Sequence, residues 1–475
     1  MKKTFTLSAM ALSVAFAGCS SSDGGGSSAQ PAYSFESQFE AGESSISYSG
    51  QTARQVLISD LKSLIAGDFA TATVASDVLD ELNALYDANS GGDIDNTNYL
   101  FTKGAETLSP GPTYGDISTG KDLKEKIAGE DNSLRHTTLR GWATGLDANP
   151  TPDEFVQYLF GIVAANAVDP SVRLNPVDAG DALPPYLTVT GVDLQQLTNK
   201  FLLMSVAYSQ GTGDYLSDDL GNGKGINASA EQTVKSGVPK PYSGLEHAWD
   251  EAFGYFGAAR DYDLYTDAEI RNHSSAEGNP RGEGYFDTNG DGEIDLRSEI
   301  NFAAAVNAAK RDFGSSDDAK TNFTTAIFDA FVTGRSLITE SGADVDLVEL
   351  EAQRDIIVNN WEKVYAATAV HYINDTLQDM NDFGTNDYSF RNHAKHWSEL
   401  KGFVMGLQFN PNALISITDI ETINTNLGDA PVLSTADTTT INNYRASLIA
   451  SRDILQAAYN FADENMGDAN GENGW

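Results

Sequence analysis

The chain has 475 residues, of which 68 are acidic and 30 are basic, and its formal net charge is −38. A surface this acidic repels other polyanions, so nucleic acid is excluded as an expected partner, while attraction of cations is favoured. The chain contains one cysteine, so no internal disulfide can form, and core burial, helped by any bound metal, must stabilise the fold.

Residues 1–19 have the three parts of a bacterial lipoprotein signal peptide. Lys2 and Lys3 are followed by an apolar run over residues 7–16 and by a small-residue cleavage site that ends at Cys19. The apolar run is too short to span a bilayer, which takes roughly 20 residues. We therefore predict that Cys19 carries a lipid and that the mature chain contacts the membrane through this anchor.

The segment after the anchor, residues 20–32, is rich in Gly and Ser and is predicted to be a flexible tether. Ser20 follows the cysteine directly. In the lipoproteins that this N-terminus resembles, a serine there, rather than an aspartate, implies sorting to the outer membrane. The expected location is therefore the outer membrane, with the protein facing the periplasm or the cell surface.

Beyond the tether, apolar residues recur with the 3.6-residue period of helices, and the alternation typical of strands is scarce. The predicted class is all-α, with two packed helical bundles and long polar loops. The predicted helices cover residues 53–65, 76–86, 152–167, 194–209, 246–259, 297–313, 319–339, 345–379, 393–408 and 442–465. A polar stretch at 210–240 interrupts this pattern, so we assign an N-terminal bundle to 33–225 and a C-terminal bundle to 226–475.

The helix predicted over residues 246–259 has a polar side that also carries Gly and Ala. His247 shares this side with Asp250 and Glu251, which follow it at the i+3 and i+4 positions. Imidazole beside carboxylate is a donor set for a transition metal such as iron or zinc. The alternative is a buried histidine whose hydrogen bond is satisfied by the neighbouring acid.

The polar loop that follows this helix contains a pattern typical of an EF-hand calcium loop. Its predicted ligands are Asp287, Asn289, Asp291, the carbonyl of Glu293, Asp295 and Glu299. Gly292 occupies the turn position, but Ser298 stands where the bidentate acid is expected, so Glu299 lies one residue late. Calcium is the predicted cofactor, and the alternative is an acidic turn that binds no ion.

The helix predicted over residues 393–408 repeats the composition of the first candidate helix. His396 and Glu399 lie on one side of it with glycines, whereas His393 is rotated toward apolar neighbours and is expected to pack. His371, in the preceding helix, is a further nitrogen donor. The side chains of the predicted shared transition-metal or substrate site are His247, Asp250, Glu251, His371, His396 and Glu399.

Three motifs give the sequence a likeness to a known group. They are HAWDEAFGYFG from His247, DTNGDGEIDLRSE from Asp287 and HWSELKGFVMGLQFNP from His396. With these motifs, most of the chain from Tyr33 onward resembles an uncharacterised family of bacterial envelope lipoproteins, which in turn distantly resembles the imelysins.

Imelysins carry the motif Gly-x-His-x-x-Glu on a helix within a pair of helical bundles. They are tied to iron acquisition, and some are regarded as metallopeptidases. By this resemblance the fold is an imelysin-like pair of bundles, and His247 matches the motif histidine. Asp250 stands in place of the motif glutamate, with Glu251 beside it. Leu245 occupies the position of the motif glycine, and the nearest glycine, Gly244, lies one residue earlier.

Three functions are consistent with these patterns. The preferred one is a non-enzymatic, lipid-anchored envelope protein that binds a metal ion or metal chelate and works with envelope uptake proteins in acquiring iron or another metal. The second is a metallopeptidase, in which a metal polarises water and Glu251 or Glu399 acts as base. The third is a structural or adhesive surface lipoprotein whose motifs only pack helices together.

Overall fold

The computed structural model describes residues 32–67, 69, 72–130, 137–169, 171–218, 223–271 and 279–475. Helices form 54% of the structure and strands 7%, so the predicted helical class is confirmed, with small sheets that were not predicted. The predicted signal peptide, Cys19 and residues 20–31 of the predicted tether lie outside the described residues. Within them, no helix combines the length and the apolar character that crossing a membrane requires.

The α-helices in the described part of the chain carry all of the candidate histidines. They are α1 (Ser49–Ile65), α2 (Ala75–Tyr86), α3 (Tyr114–Ile117), α4 (Pro152–Val168), α5 (Leu194–Leu202), α6 (Gly244–Phe256), α7 (Asp267–Ile270), α8 (Ala303–Asp312), α9 (Phe323–Ser341), α10 (Leu347–Asn381), α11 (Phe390–Gly406), α12 (Ile417–Leu427), α13 (Thr438–Tyr459) and α14 (Asp463–Met466). Two π-helical segments, Leu203–Tyr208 and Gly211–Tyr215, prolong α5.

The strands pair in small two-stranded sheets. They are β1 (Leu108–Ser109), β2 (Leu174–Asn175), β3 (Asp178–Ala182), β4 (Gln232–Lys235), β5 (Val238–Ser243) and β6 (Ile294–Asp295). β2 pairs with β3 and β4 with β5 as antiparallel hairpins, whereas β1 and β6 are parallel and come from distant parts of the chain. The pairing of β1 with β6 attaches the predicted calcium loop to the N-terminal half.

Local capping signals place the helices that carry candidate residues. α6 begins with a capping box, in which the Ser243 hydroxyl accepts from the Glu246 N–H at 3.2 Å and the Glu246 carboxylate accepts from the Ser243 N–H at 2.7 Å. It ends at Gly257, whose φ of 80° suits the left-handed cap. α10 begins where the Asp346 carboxylate accepts from the Val348 N–H at 2.9 Å.

The helix predicted over residues 297–313 begins only at Ala303, the first residue of α8. The residues before it form loop contacts with the end of α6 instead. The Ser298 carbonyl accepts from the Arg260 N–H at 2.8 Å, and the Phe302 N–H donates to the Gly257 carbonyl at 2.7 Å. These bonds attach the segment to the end of α6. Tertiary pairing therefore overrides the helical pattern of the sequence there.

α10 is the central helix of the molecule. It packs against α8, α9, α11 and α13, so apolar residues on several sides of it are buried, among them Trp361, Tyr365 and Ile373. One contiguous apolar cluster extends from α1 and α4 to α10, α11 and α13. The segments 33–225 and 226–475 therefore share a core, and the boundary between the two predicted bundles stays a prediction.

Candidate functional site

His247 lies on the half-buried side of α6 and contacts the segment before α1. Its Nδ1 atom lies 2.9 Å from the Ser47 carbonyl oxygen, and its ring stacks on Tyr242 with 4.6 Å between centroids. Because a carbonyl oxygen only accepts, Nδ1 carries the proton in this arrangement. The Nε2 atom lies 3.8 Å from Glu251, as the i+4 spacing predicts, and Gln51 donates to Glu251 at 2.8 Å.

Asp250 points into the core. Its Oδ1 atom accepts from Arg335 Nε at 2.9 Å and from the Tyr33 hydroxyl at 2.8 Å, and its Oδ2 atom accepts from the Ser47 N–H at 3.1 Å. Arg335 also binds Glu246 at 2.9 Å, and these three charged side chains are 0% exposed. Asp250 is therefore a buried partner of Arg335 on α9, which corrects its prediction as a metal ligand beside His247.

A second polar cluster lies between α10 and α11 and combines two predicted histidines with two aspartates that were not predicted. The α10 residues His371, Asp375 and Asp379 repeat every four positions and so share one side of the helix. The Asp375 Oδ2 atom lies 3.3 Å from His371 Nε2 and 3.8 Å from His396 Nε2. Asp379 Oδ2 lies 2.8 Å from His396 Nδ1. We call these four side chains the His–Asp cluster.

The charge state of the His–Asp cluster follows from burial and from its neighbours. Burial, followed by the Arg311 charge, lowers the pKa of His371 well below its usual value, so this imidazole is neutral near pH 7. Burial acts in the same direction on His396, but the hydrogen bond and charge of Asp379 outweigh it and raise the pKa. Burial raises the pKa of both Asp375 and Asp379. A neutral imidazole is the form that coordinates a metal ion. His371 is already in this form, whereas a metal at His396 has to compete with the proton that Asp379 favours.

Glu399, the remaining candidate on α11, faces α5. Its Oε1 atom lies 3.2 Å from Lys200 Nζ, and its side chain is 5% exposed. The glycines of α11 approach the same helix. A Cβ at Gly402 would lie 2.6 Å from the Lys200 Cβ, and one at Gly406 would lie 2.1 Å from the Met204 Cβ. These small residues thus accommodate a neighbouring helix.

The shared site predicted from the sequence is not formed, because its side chains lie in two separate places. The three candidates on α6 contact α9, α1 and the segment before α1, whereas those on α10 and α11 contact each other and α5. Across the described ranges, no hydrogen bond or ion pair joins the two groups. α6 packs on α1 and α9, and α11 packs on α5 and α10, which are relations between distant helices that local periodicity does not contain.

The predicted calcium loop forms the tight turn that its glycines predict. Asp287 accepts from the Gly290 N–H at 2.7 Å and from the Gly292 N–H at 2.9 Å. Asn289 and Asp291 each accept from the N–H two residues later, at 2.8 and 2.9 Å. Gly290 and Gly292 have φ values of 75° and 86°, which side-chain-bearing residues rarely adopt. The polar side chains of the turn therefore stabilise its backbone conformation through hydrogen bonds to the N–H groups.

The end of this loop differs from an EF-hand. Arg297 donates to both Asp295 oxygens, at 3.0 and 3.2 Å. Glu299 accepts from the Thr288 N–H and hydroxyl at 2.8 and 2.6 Å and from the Asp295 N–H at 2.8 Å. Both carboxylates predicted as ligands thus have protein partners. Neither here nor elsewhere among the residues that the structure describes is a group of three or more His, Cys, Asp or Glu preformed to hold a metal ion.

The fold and these sites define a mainly α-helical protein with polar clusters buried between its helices. The chain belongs to the family described as a domain of unknown function, DUF4856, which matches residues 173–273 and 289–428. The matched ranges include α6, α10 and α11, and the predicted membership of an uncharacterised family is confirmed. No curated protein and no solved structure matches the chain.

Proposed function

We propose that this protein is a non-enzymatic, lipid-anchored protein of the bacterial cell envelope that binds a divalent transition-metal ion at the His–Asp cluster. One observation supports this most: the Nε2 atoms of His371 and His396 face the same oxygen of Asp375, at 3.3 and 3.8 Å. In a tetrahedral site with bonds of about 2.0–2.1 Å, ligand atoms lie roughly 3.3–3.4 Å apart. The spacing of each imidazole nitrogen from the Asp375 oxygen is therefore close to what such an ion needs.

Asp379 supports the same assignment through its bond of 2.8 Å to His396 Nδ1. Histidines that bind metals commonly donate their second ring N–H to a carboxylate, which orients the ring. Two nearby carboxylates also counter the charge of Arg311, which opposes a cation beside Asp375. Because the three ligands are not preformed, binding has to draw His396 closer to Asp375.

Calorimetric titration of the purified protein with Zn²⁺ tests this proposal. One equivalent is expected to bind, and His371→Ala and His396→Ala are each expected to abolish binding. Asp379→Asn should weaken it by about 10–100-fold, the usual effect of losing such a partner. The matched control is His247→Ala on α6, which should bind like the native protein. Unchanged binding in His371→Ala and His396→Ala would contradict the proposal.

Calcium is a second candidate, which the turn around Gly290 and Gly292 favours. We propose Asp287, Asn289 and Asp291 as ligands, since alternate side chains of a tight turn can converge on one hard cation. An ion that binds only the folded protein raises the unfolding temperature. Calcium should therefore stabilise the native protein but not Asp291→Ala. Asp344→Ala, at an exposed acid outside the loop, is the control and should be stabilised by calcium like the native protein. If calcium raised the unfolding temperature of Asp291→Ala as much as that of the native protein, the result would argue against this site.

The remaining parts of the proposal rest on the sequence. The envelope location and the membrane contact rest on the signal-peptide pattern that ends at Cys19. The role in acquiring iron or another metal, the uptake partners and the imelysin-like pair of bundles rest on resemblance. No observation favours a metallopeptidase, since Glu399 is paired with Lys200 and Glu251 accepts from Gln51. If no metal binds, the structural or adhesive function is the one left.

A further inference from the structure

A cleft of about 420 Å³ lies between α1, α5, α8 and the segment before β1. Four lysines line it: Lys62 of α1, Lys103, Lys200 of α5 and Lys310 of α8. Acidic residues outnumber basic ones 68 to 30 in the chain, yet none of those that the structure describes lines this cleft. The cleft is therefore a cationic surface on an acidic protein.

Most of the positive charge in the cleft has no close counter-ion among the described residues. Lys200 is paired with Glu399 at 3.2 Å, whereas no carboxylate of the described chain lies within 4.0 Å of the Lys62, Lys103 or Lys310 ammonium groups. Burial and the Lys200 charge lower the pKa of Lys62 to about 8, and burial also lowers the pKa of Lys103 and Lys310. Holding partly buried like charges together costs free energy, which a bound anion would offset.

The other walls of the cleft suit the body of an organic molecule. The rings of Phe101 and Phe302 lie 5.7 Å apart, and both residues line the cleft. Asn199 and Asn301 line it too, but their amides already bond to the protein. The volume lies within the range of about 300–1,000 Å³ that is typical of small-molecule sites. A ligand with acidic groups and a partly apolar body matches these walls.

We propose that this cleft binds a small organic anion with two or more carboxylate or phosphate groups. The lysine ammonium groups neutralise the acidic groups, and the phenyl rings contact the rest of the molecule. A small ligand is expected because the net charge of −38 repels a long polyanion. This proposal goes beyond the metal site, since none of the four lysines belongs to the His–Asp cluster.

Titration of the full-length protein with citrate, and separately with inorganic pyrophosphate, tests the proposal. Binding of citrate alone indicates a carboxylate ligand, binding of pyrophosphate alone indicates a phosphate ligand, and either result supports the cleft. The double variant Lys62→Gln/Lys310→Gln should weaken binding by about tenfold or more, because each charged contact contributes substantially. Since neither lysine has a close ion pair within the described part of the chain, this variant should unfold at the native temperature or above it.

Lys363→Gln is the matched control, because it removes the same charge from α10 outside the cleft. It should bind the anion like the native protein. Failure of both anions to bind, or equal weakening in the control and the double variant, overturns the proposal. Should the double variant not fold, Lys103→Gln must weaken binding by itself. His371→Ala should leave anion binding unchanged, so failure of the cleft can be distinguished from failure of the metal site.

Discussion

Arg335 shows how much of this molecule depends on buried charge at the scale of single residues. Its guanidinium binds Glu246 and Asp250 at 2.9 Å, donates to the Ser45 hydroxyl at 2.7 Å, and lies over the Phe35 ring. The network ties α6 and α9 to the segment before α1. Losing a carboxylate from this network is costly, because it leaves buried hydrogen-bond donors without an acceptor away from water.

Asp250→Ala removes the acceptor of Arg335 Nε, the Tyr33 hydroxyl and the Ser47 N–H. It is therefore expected to lower the free energy of unfolding by about 3–5 kcal/mol, since each buried donor left unpaired costs about 1–3 kcal/mol. Urea denaturation monitored by circular dichroism measures this change. Glu251→Ala, at the adjacent and partly exposed position, is the control and should cost no more than about 1 kcal/mol. A loss for Asp250→Ala as small as that of the control would show that the network contributes little.

The burial of His393 can be tested by measuring how the stability of the protein falls at acidic pH. Its side chain is 0% exposed, and burial lowers its pKa to about 3. In the unfolded chain the pKa is about 6.5, so the unfolded state binds a proton first as the pH falls. The native protein should lose up to about 1.4 kcal/mol of stability per pH unit between these two values from this residue.

His393→Asn removes this titration and should reduce the loss of stability between pH 7 and pH 4. Denaturant unfolding of both proteins at several pH values measures the difference between their slopes. Above pH 7 the two proteins should differ by a constant amount, because neither state then gains a proton at this position. Parallel stability curves down to pH 4 would refute this account of His393.

The sequence could predict part of the candidate site at this scale. His371 and His396 were predicted, and Asp375 and Asp379 could have been added from their four-residue spacing on the same helix. Arg335 lies 85 positions from Asp250, and no local pattern signals that contact. Asp250 was therefore assigned to the histidine next to it in sequence instead of the arginine next to it in space.

At the scale of elements, strong periodicity and capping residues located most helices. The segment predicted over 345–379 is α10, and the segment predicted over 53–65 lies within α1. The helix predicted over 442–465 ends earlier, at Tyr459, because Asn460 adopts a left-handed conformation with a φ of 54°. The helix predicted over 194–209 covers α5 and the first π-helical segment, Leu203–Tyr208, but the pattern did not distinguish π-helical from α-helical geometry.

Close contact between α9 and α6 provides a prediction for element packing. A Cβ at Gly334 of α9 would lie 2.1 Å from the Trp249 indole, which is 1% exposed. Gly334→Ala should therefore destabilise the protein by about 1–3 kcal/mol through overpacking. Gly161→Ala in α4 is the control, since no atom lies within 4 Å of its Cβ, and it should stabilise by about 0.5–1 kcal/mol. The unfolding temperatures of both variants measure these changes. A gain in stability for Gly334→Ala would disprove the contact.

At the scale of the whole molecule, one apolar cluster spans both predicted bundles, and polar clusters lie between helices that are distant in sequence. Composition and periodicity predicted the helical class, which is confirmed. They could not predict which helices pack together, because that depends on long-range complementarity of side chains. The predicted shared metal site failed for this reason.

Lipid attachment is the prediction that concerns the molecule in its cell. Cells that express the native protein should incorporate labelled fatty acid into it, whereas Cys19→Ala should carry no label, because the thiol is the only attachment point in the chain. Ser20→Ala serves as the control and should be labelled like the native protein. Equal labelling of Cys19→Ala would exclude the lipoprotein assignment.

Anomalous diffraction from crystals soaked in Zn²⁺ tests the proposed metal site most directly. The proposal predicts a strong peak between α10 and α11, at about 2.0–2.2 Å from His371 Nε2, His396 Nε2 and an Asp375 oxygen. A map with no peak there, or with its only peak beside His247 or in the loop that begins at Asp287, would contradict it.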